Sequence, residues 1–304
     1  MCLQSLAPAL ATVDENTELI VVDNGSKDGS VELMRKSFPD VRVVRLDRNE
    51  GFAGGLSKGI AHAQGEWLAV FNNDTTIERG AVAAMLAAGR SHPRVGAVAA
   101  QMRFADRRDV INSAGLELDR LGIAADRLIG TRVRDHRQDE PYEVFGATGG
   151  AALFRREMLE QVGGFDETFF AFLEDADLAW RARAHGWRAL YAPGAVVYHH
   201  HSATVKHGSP AKLYLVGRNR VRTLAKNATT GMLLLNGPRM VLYDVGYVVF
   251  ASLAGGTLAP LRGRLQGLRE WGAYRRRGEP HRRPLRLRRP LGFRRALQRH
   301  KGYD

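Results

Sequence analysis

Two acidic clusters a hundred residues apart carry the residue types that do chemistry. The apolar run Trp67-Leu68-Ala69-Val70-Phe71 ends on Asn72-Asn73-Asp74, and Phe172-Leu173 leads into Glu174-Asp175-Ala176-Asp177. A carboxylate at the end of an apolar strand can hold a divalent cation against a diphosphate, and a second carboxylate cluster can take the proton of an attacking hydroxyl. Asp74 is the sole carboxylate of its triplet, so it has to be the main metal ligand in that reading. Acidic residues at a helix start also stabilise the helix dipole, and Asp177 is spaced to pair with Arg181. That structural role accounts for Asp177 well and for Asp175 less well.

Three weaker signals accompany them. Asp23-Asn24-Gly25-Ser26-Lys27-Asp28-Gly29-Ser30 follows an apolar run, where Asp23 can meet a base or ribose and Asn24, Ser26 and Asp28 can serve the same ligand beside a helix start. A calcium loop is excluded, because Gly25 and Lys27 stand where oxygen ligands belong and Met34 where the closing Glu should be; an ordinary capped turn is the plainer reading. Gly51 and Gly54, in Asn49-Glu50-Gly51-Phe52-Ala53-Gly54-Gly55, let backbone approach phosphates, although the spacing is that of neither a P-loop nor a dinucleotide fingerprint. Of His199, His200 and His201, adjacent residues do not easily converge on one ion, so one metal or phosphate contact is expected rather than a three-histidine zinc site.

The elements that must position these residues alternate. Residues 18–22, 41–46, 67–71 and 95–102 read as strands, with helices at 30–38, 55–63 and 81–88, the pattern of a doubly wound, mostly parallel α/β sheet with helices on both faces. Leu3, Leu6, Leu10 and Val13 keep helical spacing, so the chain opens inside a helix. Residues 103–142 are polar and poorly periodic and read as an excursion over one face. A strand at 145–154, helices at 155–162 and 174–185, and extended pieces at 188–191 and 196–198 complete a domain over 1–226.

Composition bounds the rest. With 44% apolar and 25% charged residues the chain is globular. Its single cysteine, Cys2, excludes an internal disulfide and a cysteine-rich zinc site and fits a reducing, cytoplasmic setting. The net charge of +13 is not spread: from Leu261 onward 15 Arg and Lys face 3 acidic residues, so the first 260 residues are close to neutral. A basic face for nucleic acid is therefore not expected on the domain, and the tail has few aromatics for base stacking. Residues 227–304 form a second region, an apolar helical segment followed by an arginine-rich tail. Across 240–260 one charge, Asp244, and several small residues argue for shallow membrane insertion rather than a span, with a buried helical hairpin as the alternative.

Taken in order, residues 19–30, 49–60, 67–77 and 146–204, the last containing GATGGAALFRREMLEQVGGFDETFFAFLEDADLAWRARAHGW, resemble the family 2 glycosyltransferases, in particular bacterial rhamnosyltransferase-like members. The resemblance covers most of residues 1 to about 225. It implies a GT-A fold and inverting transfer from a nucleotide-sugar donor, rhamnose among the candidate sugars, to a cell-surface polysaccharide or lipid-linked acceptor. Asp23 then meets the nucleotide base, and Asp74 binds Mg²⁺ or Mn²⁺ with help from His199. Asp175 is the general base with Glu174 in support, while Lys58 and Asn73 join Asn24, Ser26, Asp28, Gly51 and Gly54 on the donor side.

The sequence departs from the family where a nucleotide-binding strand should precede the helix of Cys2 to Leu10, and at Leu56-Ser57-Lys58, where Asn is common. The missing strand should be central, beside 18–22, which otherwise keeps an unpaired edge and an incomplete nucleotide floor. An upstream start or a nonfunctional fragment is the expectation that follows, with a nucleotide-sugar-binding protein without turnover as the alternative function. Nucleic-acid binding through the tail ranks lower. The basic tail and the 240–260 segment suit peripheral contact with an anionic membrane at its inner face.

Overall fold

The computed structural model describes residues 1–136, 138–200, 208–278, 285 and 287. Helix α1 (Cys2–Leu10) leads to β1 (Ile20–Asp23), α2 (Ser30–Ser37) and β2 (Arg42–Arg45). The two strands pair in parallel, Ile20 opposite Arg42 and Asp23 opposite Arg45, as a sheet of their own. Helix α3 (Gly51–His62) then returns to β3 (Trp67–Phe71), which turns through the acidic triplet into β4 (Thr75–Ile77).

After α4 (Ala81–Arg90), β5 (Val95–Phe104) forms the spine of a seven-stranded sheet. Three short strands follow, β6 (Ile111–Ser113), β7 (Leu116–Leu118) and β8 (Ala124–Asp126), then a 3-10 turn at Val133–His136 and β9 (Tyr142–Val144). β10 (Ala151–Arg155), α5 (Arg156–Val162), α6 (Glu174–Ala184) and β11 (Arg188–His199) close the sheet. Its order is β3-β10-β5-β11-β4, with β6 also on β5 and β9 also on β11. Both faces of β5 are covered, which is why its sequence is apolar without alternation. Ala97 and Ala99 join the cluster of Met158, Leu159 and Leu178 under α5 and α6. Val98 and Ala100 join that of Leu6, Val82 and Met85 under α1 and α4.

The sheet is mixed, not mostly parallel. β10 runs antiparallel to both neighbours, Ala151 opposite Phe71 and Leu153 opposite Val98, and β4 is antiparallel to β11. The parallel pairs are β1 with β2 and β5 with β11. A parallel return needs a covering crossover, usually helical; between β5 and β10 the chain instead makes short hairpins and comes back reversed. Those hairpins are more than a surface excursion, since Ile111, Leu116, Leu118 and Leu121 are buried. Buried polar neighbours at Asn112, Ser113, Glu117 and Asp119 masked the pattern. The strand expected at 145–154 is confined to Ala151–Arg155, and the extended pieces at 188–191 and 196–198 are one strand interrupted by a bulge between Ala192 and Val196. Helix α3 begins at Gly51, four residues before the expected start.

The outer edge of β3 and the outer edge of β1 have no strand partner among the described residues, and both strands line one large cavity.

Helices α7 (Pro210–Asn227), α8 (Thr230–Gly255), α9 (Ala259–Arg269) and α10 (Trp271–Arg277) complete the described chain. α9 packs along α7, and close approach requires its glycines: a Cβ on Gly263 would sit 2.1 Å from the Tyr214 carbonyl oxygen. No described helix is long and apolar enough to cross a membrane. Most of the arginine-rich tail, and His201, lie outside the described residues.

Candidate active site

Strand register sets the first wall. His199 ends β11 opposite Thr75, so its ring reaches back to the residue before β4, and Nε2 lies 3.2 Å from Asp74 Oδ1. Nδ1 of the same ring is 3.0 Å from Asn112 Oδ1, a second contact that fixes the ring plane. The backbone repeats the link, His200 N–H donating to the Asp74 carbonyl at 2.8 Å, while the His200 ring turns away to Thr76 Oγ1. Thr75 N–H and hydroxyl both donate to the Asn72 carbonyl, and Asn72 N–H donates to that of Gly150. The Asn72-Asn73-Asp74 turn is thereby pinned to the start of β10.

Asp175 forms a second wall of the same cavity. Its carboxylate accepts from Gly149 N–H at 3.3 Å and from Ala176 N–H at 2.8 Å. Burial and then the nearby negative charge of Asp126 raise its pKa to about 6, against the smaller pull of these hydrogen bonds and of Thr148. Glu174 is more deeply buried, and burial followed by repulsion from Asp175 holds its carboxyl well above the ordinary range. Oε2 of Glu174 has no hydrogen-bond partner among the described residues. A carboxyl whose pKa is raised toward neutrality in a cavity wall is suited to accepting a proton. Asp177 serves structure instead, meeting Arg181, Lys226 and Asn227 within 3.0 Å in the interior.

The segment that presents Asp175 is strained. Phe170, Phe172 and Leu173 have φ of 67°, 70° and 67°, left-handed values that side chains other than Gly rarely adopt. Such strain persists only where surroundings enforce it. Asn219 of α7 supplies the clamp: Nδ2 lies within 2.9 Å of the carbonyl oxygens of Phe169, Ala171 and Phe172, and Arg218 also donates to Phe169. From the other side Ala53 N–H of α3 donates to the Phe170 carbonyl at 3.1 Å. Gly51 has φ +77°, and a Cβ there would lie 2.3 Å from the same carbonyl oxygen.

The remaining candidates separate by position. Asp23 is buried at the end of β1, accepting from Ser26 N–H at 3.2 Å and lying 3.6 Å from Arg45 Nε. Asn24 faces the cavity, but its amide ties the chain together, donating to the Gly51 carbonyl and accepting from Glu50 N–H, both at 2.8 Å. Ser26, Gly51, Asn73, Asp74, Glu174, Asp175 and His199 all line the cavity of about 1900 Å³. Asp28, Gly54 and Lys58 do not: Asp28 accepts from the Ser30 hydroxyl and N–H at the start of α2, which lowers its pKa, and Lys58 pairs with Glu167 at 3.9 Å on the surface.

Three residues that sequence reasoning did not single out belong to this site. Asn112 orients His199, Asp126 raises Asp175 and lines the cavity, and Asn219 holds the strained segment. Asn112 and Asp126 lie in the stretch that looked like a surface excursion. Asn219 carries no motif: Arg222, Thr223 and Lys226, which share its helix face at i+3, i+4 and i+7, are polar as well, so no apolar stripe marks that face as buried.

Asp74 and His199 offer an oxygen and a nitrogen ligand converging at a cavity wall, a donor set that fits Mg²⁺ or Mn²⁺. No cluster of three or more acidic, His or Cys side chains suited to a metal occurs among the described residues. An ion held there has to complete its shell with ligand oxygens and water.

Known proteins agree with this architecture. The model of Glycosyl transferase family 2 matches residues 2–163, which includes Asp23 and Asp74 but stops short of Asp175 and His199. An N-acetylglucosaminyl-diphospho-decaprenol L-rhamnosyltransferase of Mycobacterium tuberculosis is 31% identical over 217 residues, covering 64% of this chain and 70% of the relative. A poly-beta-1,6-N-acetyl-D-glucosamine synthase of Staphylococcus aureus is 26% identical over 196 residues, 64% of this chain and 45% of the relative. Among solved structures, GalNAc-T7 with UDP, GalNAc and Mn²⁺ superposes with TM-score 0.52 at 18% identity over 69% of this chain and 41% of that one. S. aureus TarS does so with TM-score 0.50 at 19% identity over 75% and 37%. At these identities the structures bear on the fold, a GT-A-like α/β arrangement with a mixed sheet. With its family model matching just over half of its length, the chain belongs to glycosyl transferase family 2 and is a glycosyltransferase.

Proposed function

We propose that the protein moves a sugar from a nucleotide-sugar donor to a hydroxyl of a polysaccharide or lipid-linked acceptor, with inversion. The observation that carries this reading is the shared cavity: the Asp74–His199 pair and the raised Asp175 carboxyl line one space. Asp175 accepts the acceptor's proton as its oxygen bonds to the anomeric carbon. The bond from that carbon to the diphosphate breaks, and the nucleoside diphosphate departs. Glu174, whose anion is disfavoured by burial and by Asp175, supports Asp175 from the adjacent position.

Asp74 and His199 would hold Mg²⁺ or Mn²⁺ in this reading, and such an ion would supply positive charge to offset that of the leaving diphosphate. Ser26 and Asn73 face the donor from the cavity wall, while Asp23 and Asn24 set the shape of the floor behind them. The mycobacterial relative is named for rhamnose transfer to a diphospho-decaprenol-linked sugar, so a deoxyhexose donor and a polyprenyl-diphosphate-linked acceptor are the first pair to try. In this reading a lipid-linked acceptor would draw the enzyme to the inner face of the cell membrane.

The test is nucleoside-diphosphate release from a panel of activated sugars, with Mg²⁺ or Mn²⁺ and lipid-linked saccharides. Acceptor-dependent release from at least one donor is expected, and its absence across the panel counts against transfer. The alternative outcome is donor binding without turnover. Saturable donor binding without release on any acceptor is its signature.

A further inference from the structure

Helix α8 is inside out. Its one charged residue on the inner face, Asp244, turns into the protein and accepts at 2.8 Å from Arg220 of α7 and from Arg264 of α9. Tyr243 and Tyr247 pack against these guanidinium groups, with centroids 5.3 Å and 4.8 Å away. The outward face carries Leu234, Val241, Leu242, Val245, Val249 and Leu253, spaced as one helical stripe and between 53% and 80% exposed. A helix on a water-facing globule has the opposite arrangement, and an apolar face of this length marks a contact surface.

Helix α9 continues the theme in a different key. Leu258, Leu261, Leu265 and Leu268 are exposed, and Arg262 and Arg269 stand among them. The next helix adds exposed Arg276 and Arg277. The described acidic residues of 228–278 are Asp244 and Glu270, and both are spent on internal arginines, Glu270 on Arg222 at 2.5 Å. The outer surface of α8 to α10 is therefore apolar and cationic, with its acidic partners turned inward.

We infer that the outward faces of α8 and α9 form a docking surface for an anionic lipid bilayer, entered to the depth of the headgroup and acyl boundary. This inference rests on the reading of a membrane-borne acceptor and supplies the surface that reading lacks. Charge selects the occupant. A second copy of the chain packed face to face would set arginine against arginine, whereas anionic headgroups neutralise Arg262, Arg269 and Arg276 while the leucine and valine stripe leaves water. Leucines interleaved with arginines are the composition of helices that lie in the interface plane, and no described helix is built to span. Asp244 faces away from the lipid and meets no anionic headgroup.

The experiment is flotation of the full chain with vesicles of phosphatidylcholine alone and of phosphatidylcholine with phosphatidylglycerol. Wild type should float with the anionic vesicles and markedly less with the neutral ones. The variant Val241→Ser/Leu242→Ser/Val245→Ser should lose roughly tenfold or more of its partitioning with an unchanged circular dichroism spectrum. Arg262→Gln and Arg269→Gln should each lower anionic binding about fivefold and leave the apolar contribution intact. Partitioning of the serine variant equal to wild type overturns the inference, since binding would then come from the arginine-rich tail. A wild-type dimer in sedimentation that becomes monomeric in the serine variant also overturns it, by assigning the stripe to a second copy. Donor turnover on a water-soluble acceptor, measured for the same proteins, separates the two readings. Turnover without flotation removes the docking surface alone, and flotation without turnover removes the transfer reading alone.

Discussion

At the scale of single residues, the proposed site assigns two carboxylates different work, Asp74 to hold a metal and Asp175 to accept a proton. Asp175 has the raised value, about 6, because burial and Asp126 both disfavour its anion. Catalysis that needs the anion should rise with pH through that value, and kcat/KM should show an acidic limb near pH 6. Asp175→Asn should lower kcat by about 10²- to 10⁴-fold and abolish the limb. Asp126→Asn removes a like charge, so the limb should move to lower pH; a steady-state profile of both variants checks the sign. A raised carboxyl pKa means the folded state binds its proton more tightly than the unfolded chain. Stability from this group is therefore greatest at low pH and falls as pH climbs from about 4 to 6. Asp74→Asn and His199→Ala should instead weaken donor binding in the presence of metal, which titration calorimetry with Mn²⁺ and donor reads directly.

At the scale of elements, geometry is enforced by contacts between segments far apart in sequence. Asn219, midway along α7, ties that helix to the strained run before α6, and Asn219→Ala leaves the Ala171 and Phe172 carbonyls without this donor. Denaturant melts should show a loss of about 1–3 kcal/mol, and turnover should fall further than donor affinity as Asp175 loses its seat. Asp244 fastens α8 to α7 and α9. Burial alone would raise its carboxyl, but Arg220 and Arg264 outweigh that and hold it low. Its contribution is present above the unfolded value near 4 and disappears as pH falls through the lower folded value. Asp244→Asn strands two buried guanidinium groups and should cost about 3–5 kcal/mol at neutral pH, losing most of the difference from wild type in acid. Individual elements were largely legible in sequence: 67–71, 30–38 and 174–185 announce themselves by apolar runs and caps. Their directions were not. An apolar strand covered on both faces looks the same in either direction, so β10 reads as parallel until its partners Phe71 and Val98 are known.

At the scale of the whole molecule, the chain builds one cavity from pieces between Met1 and His199, with Asp23 outside its lining, and Lys212, Arg220 and Tyr243 of α7 and α8 join the wall. The two acidic motifs were visible because their residue types are rare at the ends of apolar runs. Asn112, Asp126 and Asn219 were invisible because their roles exist only after the sheet and α7 bring distant segments together. Strands β1 and β2 form a sheet separate from the main one, and β1 and β3 both line the cavity. The central claim is that Asp74 and Asp175 are opposite walls of one transfer site. The most direct measurement compares metal-dependent donor binding with acceptor-dependent nucleotide release in wild type, Asp74→Asn and Asp175→Asn. Asp175→Asn should bind donor and metal as wild type does but release little nucleotide, while Asp74→Asn should lose both. Release by Asp175→Asn at the wild-type rate, or metal-dependent donor binding untouched in Asp74→Asn, would contradict it.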